Sequence, residues 1–152
     1  MKAFKYKNGE SDNCDNDEEE FRDDGARGFP FKKLIVRGKF AVLTDRLPGA
    51  EDIDWTDAGP EIEPCDWHNE LAQSENKPLL LDCRNLYESD IGTFEGSTPL
   101  GTDKFSESWE RLDKLLEEVP KDQRVLTFCT GGIRCIKVNA YLKQKLGLTN
   151  LG

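Results

Sequence analysis

Histidine, long apolar runs and basic excess are all scarce in this chain. His68 is the only histidine among 152 residues, and it lies far upstream of Cys129. No obvious cysteine–histidine couple is left, which weakens a protease-like reading. None of the five cysteines forms a Cys-x-x-Cys pair, so neither a zinc site nor any other metal or cofactor is expected. The odd cysteine count has no disulfide-scaffold spacing, and reduced thiols in a cytoplasmic protein are the simpler expectation. No apolar run approaches about 18 residues, so no membrane span is expected. The N-terminus carries neither an apolar signal core nor an Arg-rich, acid-poor leader. Lys and Arg number 21 against 30 Asp and Glu, for a net charge of -9. Nucleic-acid affinity comes mostly from cations that neutralise phosphates, so the chain alone is poorly suited to it. Local basic groups remain around Lys32, Lys33, Arg37 and Lys39, and around Lys137, Lys143 and Lys145. Ordinary solvated faces are the simpler reading of both.

The acidic excess is partly concentrated in a tract. Residues 8–24 hold Asp12, Asp15, Asp17, Glu18, Glu19, Glu20, Asp23 and Asp24 against Arg22 alone. Such a stretch cannot bury enough apolar surface to offset its ordering entropy, so residues 1–28 read as a disordered acidic leader. A solvated leader is favoured over a partner-binding tail. Residues 29–60 follow as entry strands, near Leu34-Ile35-Val36 and Phe40-Ala41-Val42-Leu43, and an acidic loop from Pro48 to Pro60. The remainder, residues 61–152, alternates helical and strand-like patterns. A short helix is expected over about 64–72, and a buried strand over 79–83. Trp109, Leu112, Leu116 and Val119 recur at helical spacing, and Pro120 stops that helix. A strand to Phe128 and a helix to about Leu146 complete the pattern, with Gly147 as a C-cap. Alternation of this kind implies an α/β fold with a mostly parallel sheet flanked by helices. Residues 148–151 would begin one more strand.

The richest segment for chemistry is Cys129-Thr130-Gly131-Gly132-Ile133-Arg134-Cys135. It follows a strand-like run and opens a helix, and ligands in such sheets bind at the carboxyl ends of strands. The first N–H groups of a helix lack intrahelical acceptors and carry the positive end of its dipole. A thiolate placed there is stabilised, so a lowered Cys129 pKa is expected. Cysteine-dependent phosphatases need a wider cradle, with Arg six positions after Cys. Here that position is Cys135, and Arg134 comes one residue early. The loop from Cys129 to Arg134 is too tight for phosphate and suits a sulfur atom carried on the nucleophile. A second segment, Asp82-Cys83-Arg84 with Tyr87-Glu88 and then Gly92-Thr93-Phe94-Glu95-Gly96-Ser97, precedes it by about 45 residues.

Together, Cys-x-x-Gly-x-Arg and Asp-x-Arg resemble the two motifs of rhodanese-like domains, and residues 29–152 are similar to that family. Thr93 and Ser97 stand where His and Ala are common. The wording Cys-Thr-Gly-Gly-Ile-Arg-Cys is similar to the branch containing tRNA wobble-uridine hydroxylases. The resemblance implies a three-layer fold with a C-terminal strand region that would be truncated here, in a minimal form or a fragment. It also implies sulfur transfer through a Cys129 persulfide, from a small donor such as thiosulfate to a thiol or cyanide. Service of the same cysteine in tRNA modification, or a non-catalytic redox or binding role, are the alternatives. Thr130, Gly131, Gly132, Ile133 and Arg134 would line the cradle, with main-chain N–H groups aimed at the sulfur. Arg84 would bind a donor oxyanion, as the resemblance implies, with Asp82 orienting it. Glu88 would pair with a cation or cap the next turn. Arg134 has two readings of equal weight, an anion-binding group or an internal salt bridge. Cys135 is either a buried structural thiol or a resolving partner for Cys129.

Overall fold

The structure, a computed structural model, describes residues 3–4, 38, 43–72 and 77–152. The acidic tract and both expected entry strands therefore lie almost wholly outside the described residues. Three parallel strands form the central sheet, in the order β4 (Thr98–Pro99), β2 (Leu79–Asp82), β5 (Val125–Phe128). β2 and β5 pair in register from Leu79 opposite Val125 to Asp82 opposite Phe128. Between β2 and β4 lie the short helix α2 (Leu86–Ser89) and the strand β3 (Thr93–Phe94), which pairs with β1 (Ala3–Phe4). The backbone of residues 150–152 runs beside β5, with Val125 N–H donating to Asn150 and Thr127 N–H to Gly152. The strand-like character of residues 148–151 thus ends in sheet pairing.

Strand alternation decides what each face holds, because successive side chains point to opposite sides. Leu81, Val125 and Thr127 face helices α3 (Ser108–Leu116) and α4 (Ile133–Gln144). There they meet Trp109, Leu112, Leu116, Val138 and Leu142 in one apolar cluster. Leu80, Leu126 and Phe128 point the other way. Phe128 stacks edge-on against Phe94, with centroids 4.9 Å apart, and against Trp67 at 6.4 Å. Trp67 belongs to α1 (Pro64–Ala72), so that helix covers the second face. The result is the expected mixed α/β arrangement, a parallel sheet flanked by helices.

The acidic loop is less loose than composition suggests. Ile53 and Ala58 are buried in the core, and Gln144 of α4 exchanges main-chain hydrogen bonds with Asp54. Acids of the loop and of the segment before it neutralise the C-terminal basic group: Lys137 pairs with Asp45, Lys143 with Asp57, and Lys145 approaches Asp52 at 3.8 Å. The ammonium of Lys137 also sits 4.0 Å from the Trp55 ring centroid. The basic patch legible around Lys137 is thereby cancelled by its own chain. α4 itself begins at Ile133. Gly132, at φ +76°, turns the chain so sharply that its carbonyl already accepts Ile136 N–H.

Candidate active site

β2 and β5 end side by side, so the segments that follow them meet. Cys83 N–H donates to the Phe128 carbonyl at 2.9 Å, which sets the two strand ends in register. Both sequence motifs are therefore at the carboxyl ends of neighbouring strands. Cys129 opens a tight turn to Gly132, and Ile133, Arg134 and Cys135 occupy the first turn of α4. Gly132 N–H donates to Cys129 Sγ at 3.1 Å. The sulfur is partly buried, while Thr130, Gly131, Gly132 and Ile133 are exposed.

Two ion pairs hold the walls. On one side, Arg84 forms a fork with Asp82, Nε to Oδ1 at 2.8 Å and Nη2 to Oδ2 at 2.6 Å. Arg84 also donates to the Gly92 carbonyl at 2.7 Å and lies 5.4 Å from the Phe128 ring centroid. Asp82 is fully buried and accepts further bonds from Ser89 and Thr93 hydroxyls at 2.9 and 2.8 Å. Burial raises the Asp82 pKa, but these donors outweigh it and hold the carboxyl below its ordinary range. Arg84 is held charged by the same carboxylate. Asp82 orients Arg84, and the Gly92 carbonyl takes a further bond from its guanidinium.

On the other side, Arg134 grips Glu88 through Nη1 to Oε2 at 2.6 Å and Nη2 to Oε1 at 2.9 Å. Thr130 Oγ1 donates to Glu88 Oε1 at 2.7 Å, and Glu88 Oε2 accepts Asn85 N–H at 3.0 Å. Glu88 therefore both pairs with a cation and caps α2. Arg134 pulls the Glu88 pKa down to about 2, and Thr130 and Asn85 N–H add to the effect against burial. Of the two readings of Arg134, the internal salt bridge is the one present. Its guanidinium nevertheless stays within reach of the Cys129 sulfur.

The thiol chemistry departs from expectation. Cys129 is raised above the ordinary thiol range, not lowered. Its hydrogen-bonded neighbour Cys135 is the largest cause, and burial adds to it. Main-chain N–H groups of Cys135 and Gly131 pull downward without prevailing. Contact with Cys129 lowers Cys135, but Cys83 and burial outweigh it, and Cys135 is pushed up to about 12. The helix terminus predicted a lone anion. The structure instead has a pair of sulfurs competing for the same stabilisation.

Several contributors were not legible from spacing. Cys83, Cys129 and Cys135 all remain free thiols, and Cys83 contacts Cys135 from the neighbouring strand end. Cys65 is disulfide-bonded, so reduced thiols throughout do not hold. Thr93 and Ser97, the two departures from the family pattern, bond each other at 2.7 Å, and Thr93 serves Asp82. Their hydroxyls were the available signal, since a buried carboxylate needs donors. Among the described residues no group of three or more His, Cys, Asp or Glu side chains could hold a metal ion. Among them, too, no helix is long and apolar enough to cross a membrane.

The chain is similar to known proteins. A tRNA uridine(34) hydroxylase of Mesorhizobium japonicum is 41% identical over 122 residues, covering 78% of this chain and 37% of the relative. The hydroxylase of the same name from Jannaschia sp. is 36% identical over 128 residues, covering 83% and 40%. That of Protochlamydia amoebophila is 40% identical over 118 residues, covering 77% and 35%. The chain thus spans about two fifths or less of the length of these curated relatives. Residues 65–152, which hold all of α1 but Pro64, the parallel sheet, both ion pairs and the Cys129 turn, match the rhodanese-like domain, and the chain belongs to that family.

Proposed function

We propose that this chain is the rhodanese module of a protein that hydroxylates the wobble uridine of tRNA, with Cys129 as the reacting group. The observation that carries the reading is likeness to proteins of that name over 77–83% of the chain. Cys129 suits the role because its sulfur is reachable, takes an N–H from Gly132 and lies beside a guanidinium. A nucleophile so placed makes a covalent bond that splits one difficult step into two. The pairing of Lys137 and Lys143 with acids leaves that face of α4 little to offer phosphates. An RNA substrate is therefore read as approaching the exposed rim formed by Thr130, Gly131, Gly132 and Ile133.

Sulfur transfer is the second reading, favoured by the tight turn from Cys129 to Gly132. Cys129 thiolate would attack the outer sulfur of thiosulfate. The donor's S–S bond breaks, sulfite leaves with the electron pair, and Cys129 keeps the sulfur as a persulfide. A thiol or cyanide then removes it.

One comparison separates the two. tRNA nucleosides would be measured by mass spectrometry in cells lacking the gene, then complemented with wild type or Cys129→Ser. Loss of the oxygen on wobble uridine in the deletion, restored by wild type and not by the variant, is the expected result. Unchanged nucleosides, with one sulfur added to Cys129 after thiosulfate treatment of the purified protein, would replace the first reading with the second.

A further inference from the structure

Exposed apolar side chains are unevenly placed on this molecule. Among the described residues, the large apolar side chains left exposed are Leu86, Tyr87, Ile91, Leu115 and Ile133. Leu115 lies on α3, whereas Leu86 and Tyr87 belong to α2, Ile91 follows it, and Ile133 opens α4. The Glu88–Arg134 fork ties α2 to the first turn of α4. Glu88 also takes the Thr130 hydroxyl of the Cys129 turn at 2.7 Å. Tyr87 precedes Glu88 and Ile133 precedes Arg134, so an exposed apolar side chain stands one residue from each member of the fork. A single exposed apolar group would need no explanation, but four of these five lie on or next to the two segments that the fork joins.

We propose, resting on the tRNA reading above, that Tyr87 is the platform on which the unpaired substrate uridine stacks beside the Cys129 turn. Tyr87 is 64% exposed and is the one aromatic ring in the group. Asn85 Nδ2 donates to its hydroxyl at 3.3 Å, which steadies the ring from its polar end. Asn85 N–H is in turn held by Glu88 Oε2 at 3.0 Å. The support of the ring therefore runs back to the carboxylate that also holds Thr130 and Arg134. A tyrosine offers a large flat face for the loss of only two side-chain torsions. Ile133 supplies further apolar surface from the other segment.

A nucleobase is the occupant that the local charges allow. Phosphate recognition needs cations with capacity to spare. The two arginines of the motifs are taken up, Arg84 by Asp82 and Arg134 by Glu88. Asp90 and Glu95, close to Tyr87 in the chain, are exposed and would repel a phosphate. An uncharged base meets no such repulsion, and every base has a π-face that an aromatic ring can cover. Single-stranded RNA loops are held in this way, with bases splayed out onto aromatic side chains. Stacking tolerates any base, so Tyr87 contributes affinity and placement and leaves the choice of uracil to other contacts.

The test uses the full chain and two anticodon stem-loops, one with uridine at the wobble position and one with an abasic sugar there. Binding would be read by fluorescence anisotropy. Wild type should hold the uridine hairpin about 5- to 100-fold more tightly than the abasic one. Tyr87→Ala should lose this preference by weakening on the uridine hairpin alone, whereas Tyr87→Phe, which keeps the ring, should retain it. A hairpin with 5-iodouridine at the same position, irradiated on wild-type chain, should crosslink to Tyr87, a readout that needs no variant to fold. Equal binding of the two hairpins by wild type, a preference that survives in Tyr87→Ala, or a crosslink confined to other residues would overturn the proposal. The tRNA reading itself is decided separately, by the nucleoside comparison with Cys129→Ser, which does not involve Tyr87.

Discussion

Replacing Glu88 by glutamine tests whether the Glu88–Arg134 pair supports the Cys129 turn. The two side chains are only 19% and 15% exposed, and they meet in a fork. Folding takes the Glu88 carboxyl from 4.5 to about 2. That difference is worth about 3 kcal/mol at neutral pH. The rise in Arg134 is the same interaction felt by the cation, so it adds nothing further. A depressed carboxyl stabilises the fold above its unfolded pKa, and the benefit disappears as pH falls through its folded pKa. The Glu88 contribution should therefore be full at pH 7, about 1.4 kcal/mol at pH 3, and small near pH 2. In Glu88→Gln, the amide keeps the shape but not the charge, and Arg134 loses its counter-ion. Urea unfolding followed by tryptophan fluorescence should show a gap of about 2–3 kcal/mol at pH 7. At pH 3 the gap should be roughly half as large. A gap that does not change with pH, or one under about 0.5 kcal/mol, would mean that the pair is a solvated contact of no consequence.

Three further perturbations bear on the same site. Cys135→Ala removes the largest upward influence on Cys129, so the pH profile of Cys129 alkylation by iodoacetamide should move to lower pH. An unchanged or higher profile would show that the two sulfurs do not share a proton. Gly132→Ala meets nothing within 4 Å of the added carbon, so its cost is backbone strain at φ +76° alone. It should lower stability by about 1–3 kcal/mol, read by thermal melting. Thr93→Val strips a donor from Asp82 and a hydrogen-bond partner from Ser97, and should cost about 1–3 kcal/mol. Because Thr93 helps hold Asp82 low, acid unfolding of this variant should begin at higher pH than in wild type.

Much of the architecture can be read from local pattern. The apolar run at Leu79 marks β2, the helical spacing of Trp109, Leu112 and Leu116 marks α3, and Pro64 through Ala72 form α1 as expected. These elements obey short-range rules of periodicity and termination, so a single sequence displays them. The Cys129 turn is legible for the same reason, since a cysteine, two glycines and a helix start are contiguous.

The sequence shows that the segments after β2 and β5 can meet at the strand ends, but not which side chains far apart in the chain pair with each other. Glu88 and Arg134 are 46 positions apart, and only the parallel pairing of β2 with β5 makes them partners. Lys137 and Asp45, 92 positions apart, cancel a basic patch that composition leaves open. Cys83, Cys129 and Cys135 share no recognisable spacing, yet strand alternation and the first turn of α4 bring them into contact. By itself the sequence placed a cysteine at the turn between β5 and α4, where a main-chain N–H meets its sulfur. Tertiary structure decided that sulfur's ionisation, because the charge and burial around a thiol depend on neighbours that only folding supplies.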